Sequence, residues 1–318
     1  MPMFLKPSKM TVLWCFRLIL HRKTSDVSLK DSLISPWNKK IIIKDKFMTA
    51  NIDPEKIADL VRQCARDIIL PYHGTLKEHQ KSFKNGNPRN EVTVADAISE
   101  EFLSRQIKLL FPDSYILGEE ESENNPSVFE YLNDPQKMIW VIDPIDGTSN
   151  FIKGSKTFCV IVALVADGKT RMGWIYDVCN DSMAFAQKDK GAFIDGQKVR
   201  LSKENPAHDV VTGYAGYKFK DNLKNISTST LRCSGLEYFR MAKREADFSI
   251  YWKMKPWDHL AGTLLMQEAG GYAAQWDGSS YDPADATGGL ITAANKKIWQ
   301  KIRDSIPPQV LKKHNLIT

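Results

Sequence analysis

Residues 140–154 read WVIDPIDGTSNFIKG. Three apolar residues, Trp140, Val141 and Ile142, run into two aspartates, Asp143 and Asp146, which are separated by Pro144 and Ile145 and followed by Gly147 and Thr148. This order predicts a buried strand that turns under the constraint of Pro144 and leaves two carboxylates and a peptide carbonyl converging at its end. A hard divalent cation such as Mg²⁺ wants that set: oxygen ligands only, a few of them carboxylates, with room for water and a phosphate. Gly147 lets the backbone approach a ligand closely. Thr148, Ser149 and Asn150 suit the start of a helix whose amides face an anion. Asp-Pro-x-Asp-Gly is also an ordinary turn composition, so the reading needs support from elsewhere in the chain.

Two stretches supply it. Gly118 to Glu121, GEEE, follows a short apolar run, Tyr115 to Leu117, and so places acids just after a strand. Trp257 to Gly262, WDHLAG, places Asp258 at the start of an apolar helix running to about Ala269, where the helix dipole favours a carboxylate.

The motifs GEE, DPIDGTSNF and PWDHLAG, in this order and at this spacing, resemble those of the inositol monophosphatase family of Mg²⁺-dependent, lithium-sensitive sugar and nucleotide phosphatases. The resemblance runs from about Ile52 to Ile302. It implies an α/β chain with the layered αβαβα sugar-phosphatase sandwich, usually a homodimer, acting as a phosphomonoesterase with roughly two or three Mg²⁺ per site. On the matching positions it implies Glu119, Asp143 and the Ile145 carbonyl around one cation. Asp143 would be shared with a second cation, held also by Asp146 and Asp258. Asp96, in the VTVAD stretch, would hydrogen-bond Thr148, and the pair would activate the attacking water without a covalent phosphoenzyme. The Gly147 and Thr148 amides would hold phosphate, and Ser234, Gly235 and Glu237 are the positions that would meet substrate hydroxyls. A lysine over the metal site is also implied, with Lys81 and Lys84 both open. Members of the family cleave inositol phosphates, fructose bisphosphate, histidinol phosphate or 3′(2′),5′-nucleoside bisphosphates. Leu236, and Lys253 and Lys255 before Trp257, depart from the inositol-specific pattern and leave room for a more anionic substrate.

Composition bounds the alternatives. With 318 residues, 42% of them hydrophobic, the chain has the material for a large core. The formal charge is +6, but residues 1 to 47 carry ten Lys and Arg against three Asp, a balance of +7 that leaves −1 for the rest. A basic footprint for nucleic acid therefore belongs to this leader, and a regulatory RNA- or protein-binding role would rest there. The leader reads as a disordered extension, an organelle presequence or sequence upstream of a start at Met48, with a phosphatase domain over residues 48–318. Its apolar patch, Val12 to Leu20, is interrupted by Arg17 and too short to span a bilayer. The five cysteines are scattered, with no CxxC spacing or Cys/His pairing, which predicts reduced thiols in a cytoplasmic protein and no zinc site.

Along the body, Asp53-Pro54-Glu55 predicts a helix start, and Ile57, Leu60, Val61, Cys64, Ile68 and Ile69 predict its apolar face. Lys77 to Arg89, polar and holding Gly86, Asn87 and Pro88, reads as a mobile loop. Asn90 to Asp96 should open a second helix, capped by Thr93, that packs Ile98, Phe102, Leu103, Ile107 and Leu110 inward. Strands are predicted over 157–165, 171–178, 183–186 and 191–201, the last with a hairpin turn at Asp195-Gly196. A short helix over 232–242 follows. After the helix at Trp257 come strands at 272–276 and 289–293 and a closing helix from Asn295. Asp177 and Asp181 read as turn residues and His259 as a packing residue.

Overall fold

The computed structural model describes residues 52–84, 91–124, 126–201, 210–216, 226–284 and 288–307. The basic leader and residues 85–90, part of the loop expected over Lys77 to Arg89, lie outside the described residues.

Helix α1, Pro54–Cys64, starts at Asp53, whose carboxylate accepts from the Glu55 amide, and a π-helical turn, Ala65–Ile69, extends it. The polar segment that follows is more ordered than its composition suggests. After a 3₁₀ turn, Glu78–Gln80, strand β1, Lys81–Phe83, pairs antiparallel with β2, Glu91–Thr93. The stretch at Asn90 therefore enters a strand before its helix: α2 is Val94–Leu110, capped by Thr93 with Asp96 reaching back in a capping box. Its buried stripe runs Ala95, Ser99, Leu103, Ile107 at four-residue spacing. Ile98 and Leu110 fall off that stripe and are exposed, against expectation.

Strand β3, Tyr115–Gly118, leads into the short helix α3, Glu119–Asn124. Strand β4, Met138–Asp146, is followed by a single helical turn, α4, Thr148–Ile152. Strands β5, Cys159–Ala166, β6, Lys169–Asp177, β7, Ser182–Gln187, β8, Gly191–Ile194, and β9, Gln197–Val199, then form an antiparallel meander. Asp195 and Gly196 both take positive φ at the last turn, as the hairpin reading requires. Strands β10, Val211–Ala215, and β11, Ile226–Ser229, precede helix α5, Ser234–Ala242. Strand β12, Phe248–Tyr251, helix α6, Pro256–Glu268, strands β13, Tyr272–Gln275, and β14, Leu290–Ala293, and helix α7, Lys296–Asp304, complete the order.

The strands make a seven-stranded sheet in the order β3-β4-β5-β6-β7-β8-β9 and a five-stranded sheet in the order β11-β10-β12-β14-β13. Strand β4 shows why the larger sheet is buried on both faces. Trp140 and Ile142 point to one cluster with residues of α1 and α2; Ile139 and Val141 point to another with residues of α5 and α6. A near-continuous apolar run is what such a strand needs. Helices α5 and α6 contact strands of both sheets, and α7 covers the smaller sheet with Ile298, Trp299 and Ile302. The result is helix, sheet, helix, sheet, helix, in agreement with the expected α/β sandwich. Helices α5 and α6 approach so closely that a Cβ on Gly262 would lie 2.0 Å from the Tyr238 ring. No helix among the described residues is long and apolar enough to cross a membrane.

Candidate active site

The reason Asp143 and Asp146 cooperate lies in the register of β4. On a regular strand, residues three apart face opposite sides of the sheet. Here Asp143 pairs with Ile161 and Asp146 with Cys159, so three steps on β4 match two on β5. The extra residue is a β-bulge, and it returns both carboxylates to one side. Pro144, which has no N–H to give a ladder, fits at such an irregularity. The strand does not turn away at Pro144, as its sequence suggested; it bulges and continues to Asp146. The Ile145 amide donates to Asp143 Oδ1 at 3.1 Å and fixes that carboxylate's orientation.

Asp258 comes from the first turn of α6, and one carboxylate oxygen from each of Asp143, Asp146 and Asp258 lies within 4.8 Å of the others. Asp143 is 1% exposed and Asp146 9%. Burial, then the charges of Glu119, Asp146 and Asp258, push the Asp143 carboxyl well above its ordinary value. Burial and the Asp146 charge do the same to Asp258. Among the described residues no Lys or Arg forms an ion pair with any of the three. Three crowded acids without a salt-bridge partner, offering only oxygen, fit a hard divalent cation.

The structure settles which lysine reaches the acids. Lys84, at the end of the β1 segment, places Nζ 2.8 Å from both Glu119 Oε1 and Glu120 Oε1, while Lys81 pairs with the exposed Glu78. Burial alone would favour a neutral Lys84, but the two glutamates hold its pKa above the ordinary value. Burial pushes Glu120 up to about 8 in spite of Lys84. Glu119 stands outside the three-aspartate cluster, engaged by Lys84, yet its charge is felt at Asp143 and Asp258.

Thr148 opens α4. Its Oγ1 lies 3.2 Å from Asp96 Oδ1 and 3.0 Å from the Ile145 carbonyl, so one hydroxyl proton faces two acceptors. Asp96 Oδ2 accepts from Thr93 Oγ1 at 2.6 Å and from the Thr93 amide at 2.9 Å. Despite these donors, burial pushes Asp96 up to about 6. Gly147 sits at φ 90°, and a Cβ there would stand 3.0 Å from the Thr157 carbonyl, so the position excludes other residues twice over.

Of the three positions expected to meet substrate, two are turned to the carboxylates. Gly235 N donates to Asp146 Oδ2 at 2.6 Å and Ser234 Oγ at 3.2 Å, which makes the start of α5 a clamp on that aspartate. The Glu237 carboxylate accepts from Thr230 Oγ1, the Leu231 amide and Tyr251 Oη at 2.8–3.0 Å. It is buried in that network and not brought to the aspartate cluster. His259 is a packing residue as expected: Tyr238 Oη and the Lys253 carbonyl flank its ring nitrogens, and burial pushes its pKa down to about 4. Sequence reading set Asn150 at a helix start but missed the work of its side chain, whose amide donates to the Thr157 and Leu231 carbonyls at 2.8 Å each and ties α4 to the loop before α5. It also missed Cys159 and Cys233, which meet at Asp146. Their 74-residue separation carries no local signal.

Fold and site together define a layered α/β protein with a cluster of three carboxylates beside a threonine–aspartate pair. The inositol monophosphatase family model matches residues 53–307, and the chain belongs to that family. An inositol monophosphatase of Dictyostelium discoideum is 30% identical over 243 residues, covering 72% of this chain and 86% of its own length. Among solved structures, an IMPase of Thermotoga maritima superposes with a TM-score of 0.69 at 23% identity, covering 82% of this chain and 98% of that one. An IMPase/NADP phosphatase complexed with Mg²⁺ and phosphate gives 0.68 at 23% identity, covering 80% and 94%. At such identities these two likenesses speak for the fold.

Proposed function

We propose that this protein is a Mg²⁺-dependent phosphomonoesterase acting on a small sugar, polyol or related phosphate. The observation that carries the reading is the convergence of Asp143, Asp146 and Asp258 beside the Thr148–Asp96 hydrogen bond. Family membership and the Mg²⁺ and phosphate of one structural neighbour support it. Asp143, Asp146 and Asp258, with Glu119 and the Ile145 carbonyl, would hold the metal. When bound, Mg²⁺ supplies the positive charge that draws an anionic ester and water together and stabilises the leaving oxygen.

The chain's own residues do the rest. Were the Ile145 carbonyl engaged by the ion, the Thr148 proton would keep one acceptor, Asp96 Oδ1, and the hydroxyl oxygen would be free to accept from a water. Asp96, held by Thr93, fixes that orientation, a positioning role worth roughly 10²–10⁴ in rate for a well-placed acid–base pair. Gly147, free of a Cβ, allows the phosphate close to the backbone at the start of α4. Lys84 keeps Glu119 and Glu120 together.

The test is phosphate release by the purified chain with Mg²⁺, with and without lithium, over inositol 1-phosphate, fructose 1,6-bisphosphate, histidinol phosphate and adenosine 3′,5′-bisphosphate. Lithium-sensitive turnover of one ester above about 10⁴ M⁻¹s⁻¹ in kcat/KM supports the reading and names the substrate. No release from any of them, by protein shown to be folded and to bind Mg²⁺, counts against it.

A further inference from the structure

Phosphate chemistry gives no reason for two thiols to share a carboxylate with the metal cluster. Cys159 begins β5 and Cys233 directly precedes α5; both are buried, at 0% and 2% exposure. Their Sγ atoms lie 3.6 Å apart, and they stand 3.6 and 3.3 Å from the same atom, Asp146 Oδ2. That oxygen already receives the Gly235 amide at 2.6 Å and the Ser234 hydroxyl at 3.2 Å, both stronger donors than a thiol.

The triangle has the dimensions of a tetrahedral site. Bonds of about 2.3 Å to sulfur and about 2.0 Å to oxygen place two sulfurs about 3.8 Å apart and sulfur about 3.5 Å from oxygen. The sides found here, 3.6, 3.6 and 3.3 Å, each agree to within about 0.2 Å. Two thiols and one carboxylate oxygen form a donor set that Mg²⁺ refuses and zinc-class ions seek.

We propose that Cys159, Cys233 and Asp146 form a site for a thiophilic divalent cation, and that its occupation inhibits the enzyme by withdrawing Asp146 from the oxygen-only cluster. Binding exchanges charge cleanly: each of the two thiols gives a proton to solvent as the ion enters, the two thiolates balance its double charge, and the Asp146 carboxylate leaves the occupied site at −1. A coordinating metal deprotonates a thiol outright. The site stands independently of the phosphatase reading; its inhibitory effect rests on that reading.

The experiment uses the full chain with thiols reduced and air excluded. Titration with Co²⁺ should raise thiolate-to-metal charge-transfer absorption that saturates at one ion per chain. Cys64→Ala should retain the band, and Cys159→Ala/Cys233→Ala should lose it. Cadmium NMR of the wild-type chain counts the sulfur ligands without any substitution and should report two. In phosphate release under saturating Mg²⁺, Zn²⁺ should inhibit the wild type. The double variant, scored against its own uninhibited rate, should need more than about tenfold more Zn²⁺, since loss of even an outer-shell partner costs a metal site that much. No thiolate band in the wild type, or a band that survives the double variant, overturns the site. A thiolate band with undiminished phosphate release overturns the inhibition. A thiolate band on a chain that releases no phosphate with Mg²⁺ supports the site and counts against the phosphatase reading instead.

Discussion

Replacing Glu237 by glutamine should flatten the pH dependence of folding between about pH 4.5 and 7. In the folded chain, burial pushes this carboxyl from 4.5 up to about 7, although the Leu231 amide, Tyr251 and Thr230 all pull it back. The folded protein thus keeps a proton that the unfolded chain has released. Stability from this group is complete below about pH 4.5 and is lost as the pH climbs towards 7. The gap from 4.5 to about 7 corresponds to about 3 kcal/mol at 1.36 kcal/mol per pH unit. Glutamine keeps the shape: its carbonyl can accept from Leu231 N and Thr230 Oγ1, and its amide can donate to Tyr251 Oη. Glu100, at about 7, and Glu120, at about 8, slope the same way, so the wild-type curve alone cannot identify Glu237. The difference between the two proteins can. Urea unfolding at pH 5, 6, 7 and 8, followed by tryptophan fluorescence, should show wild type losing about 2–3 kcal/mol more than Glu237→Gln over that range. Parallel curves would mean that Glu237 stays ionised in its pocket, and the argument from burial would fail.

Asp143→Asn should abolish turnover while raising the stability of the metal-free protein by more than about 1 kcal/mol, because it removes a buried charge from among like charges. Melting in chelator and a phosphate-release assay read the two halves, and a variant that stays active refutes the metal assignment. Thr148→Ser should retain most activity and Thr148→Val should lose roughly 10²–10⁴ in kcat with little change in melting; equal loss in both would show that the hydroxyl is not what matters. Gly147→Ala should cost about 1–3 kcal/mol in unfolding free energy, from its φ of 90° and the 3.0 Å contact with the Thr157 carbonyl. An unchanged urea midpoint would contradict it. Mg²⁺ at a hundred times its Kd should stabilise the chain by about 2.7 kcal/mol, and Asp258→Asn should lose most of that gain.

What the sequence told and withheld divides along physical lines. Ends of elements were legible wherever capping chemistry is local: Asp53 and Thr93 cap the helices they were expected to cap, and the closing helix expected from Asn295 starts there, with the Asn295 side chain as its cap. Most acids of the site were legible because they sit at element boundaries that their neighbours announce: Glu119 after β3, Asp146 at the end of β4 and Asp258 in the first turn of α6. The bulge was not, because a register shift is a property of two strands and only one of them carries Asp143 and Asp146. The β1–β2 hairpin was hidden by polar composition, its pairing being made of backbone bonds that any side chain permits. Glu237 was grouped with Ser234 and Gly235 by its neighbours in sequence; in the structure its carboxylate accepts from Thr230, Leu231 and Tyr251, while Ser234 and Gly235 hold Asp146.

That clamp explains how so many like charges survive folding. Bringing Asp143, Asp146 and Asp258 within 4.8 Å of one another under burial is unfavourable by itself, as the raised pKa values of all three show. The fold offsets this with groups that carry no net charge. The Ile145 amide holds Asp143; the Gly235 amide and Ser234 hydroxyl hold Asp146; a helix start holds Asp258. Cationic side chains would have neutralised the cluster more cheaply, but they would also have competed with a metal ion for the same oxygens. Neutral donors fix the carboxylates while leaving the charge for a cation to answer. Of the lysines near the acids, Lys84 is spent on Glu119 and Glu120 at the edge, and Lys255 lends Asp258 its charge without forming an ion pair. On this argument the crowding is the source of metal affinity, and the positions that look worst for stability are the ones the reaction requires.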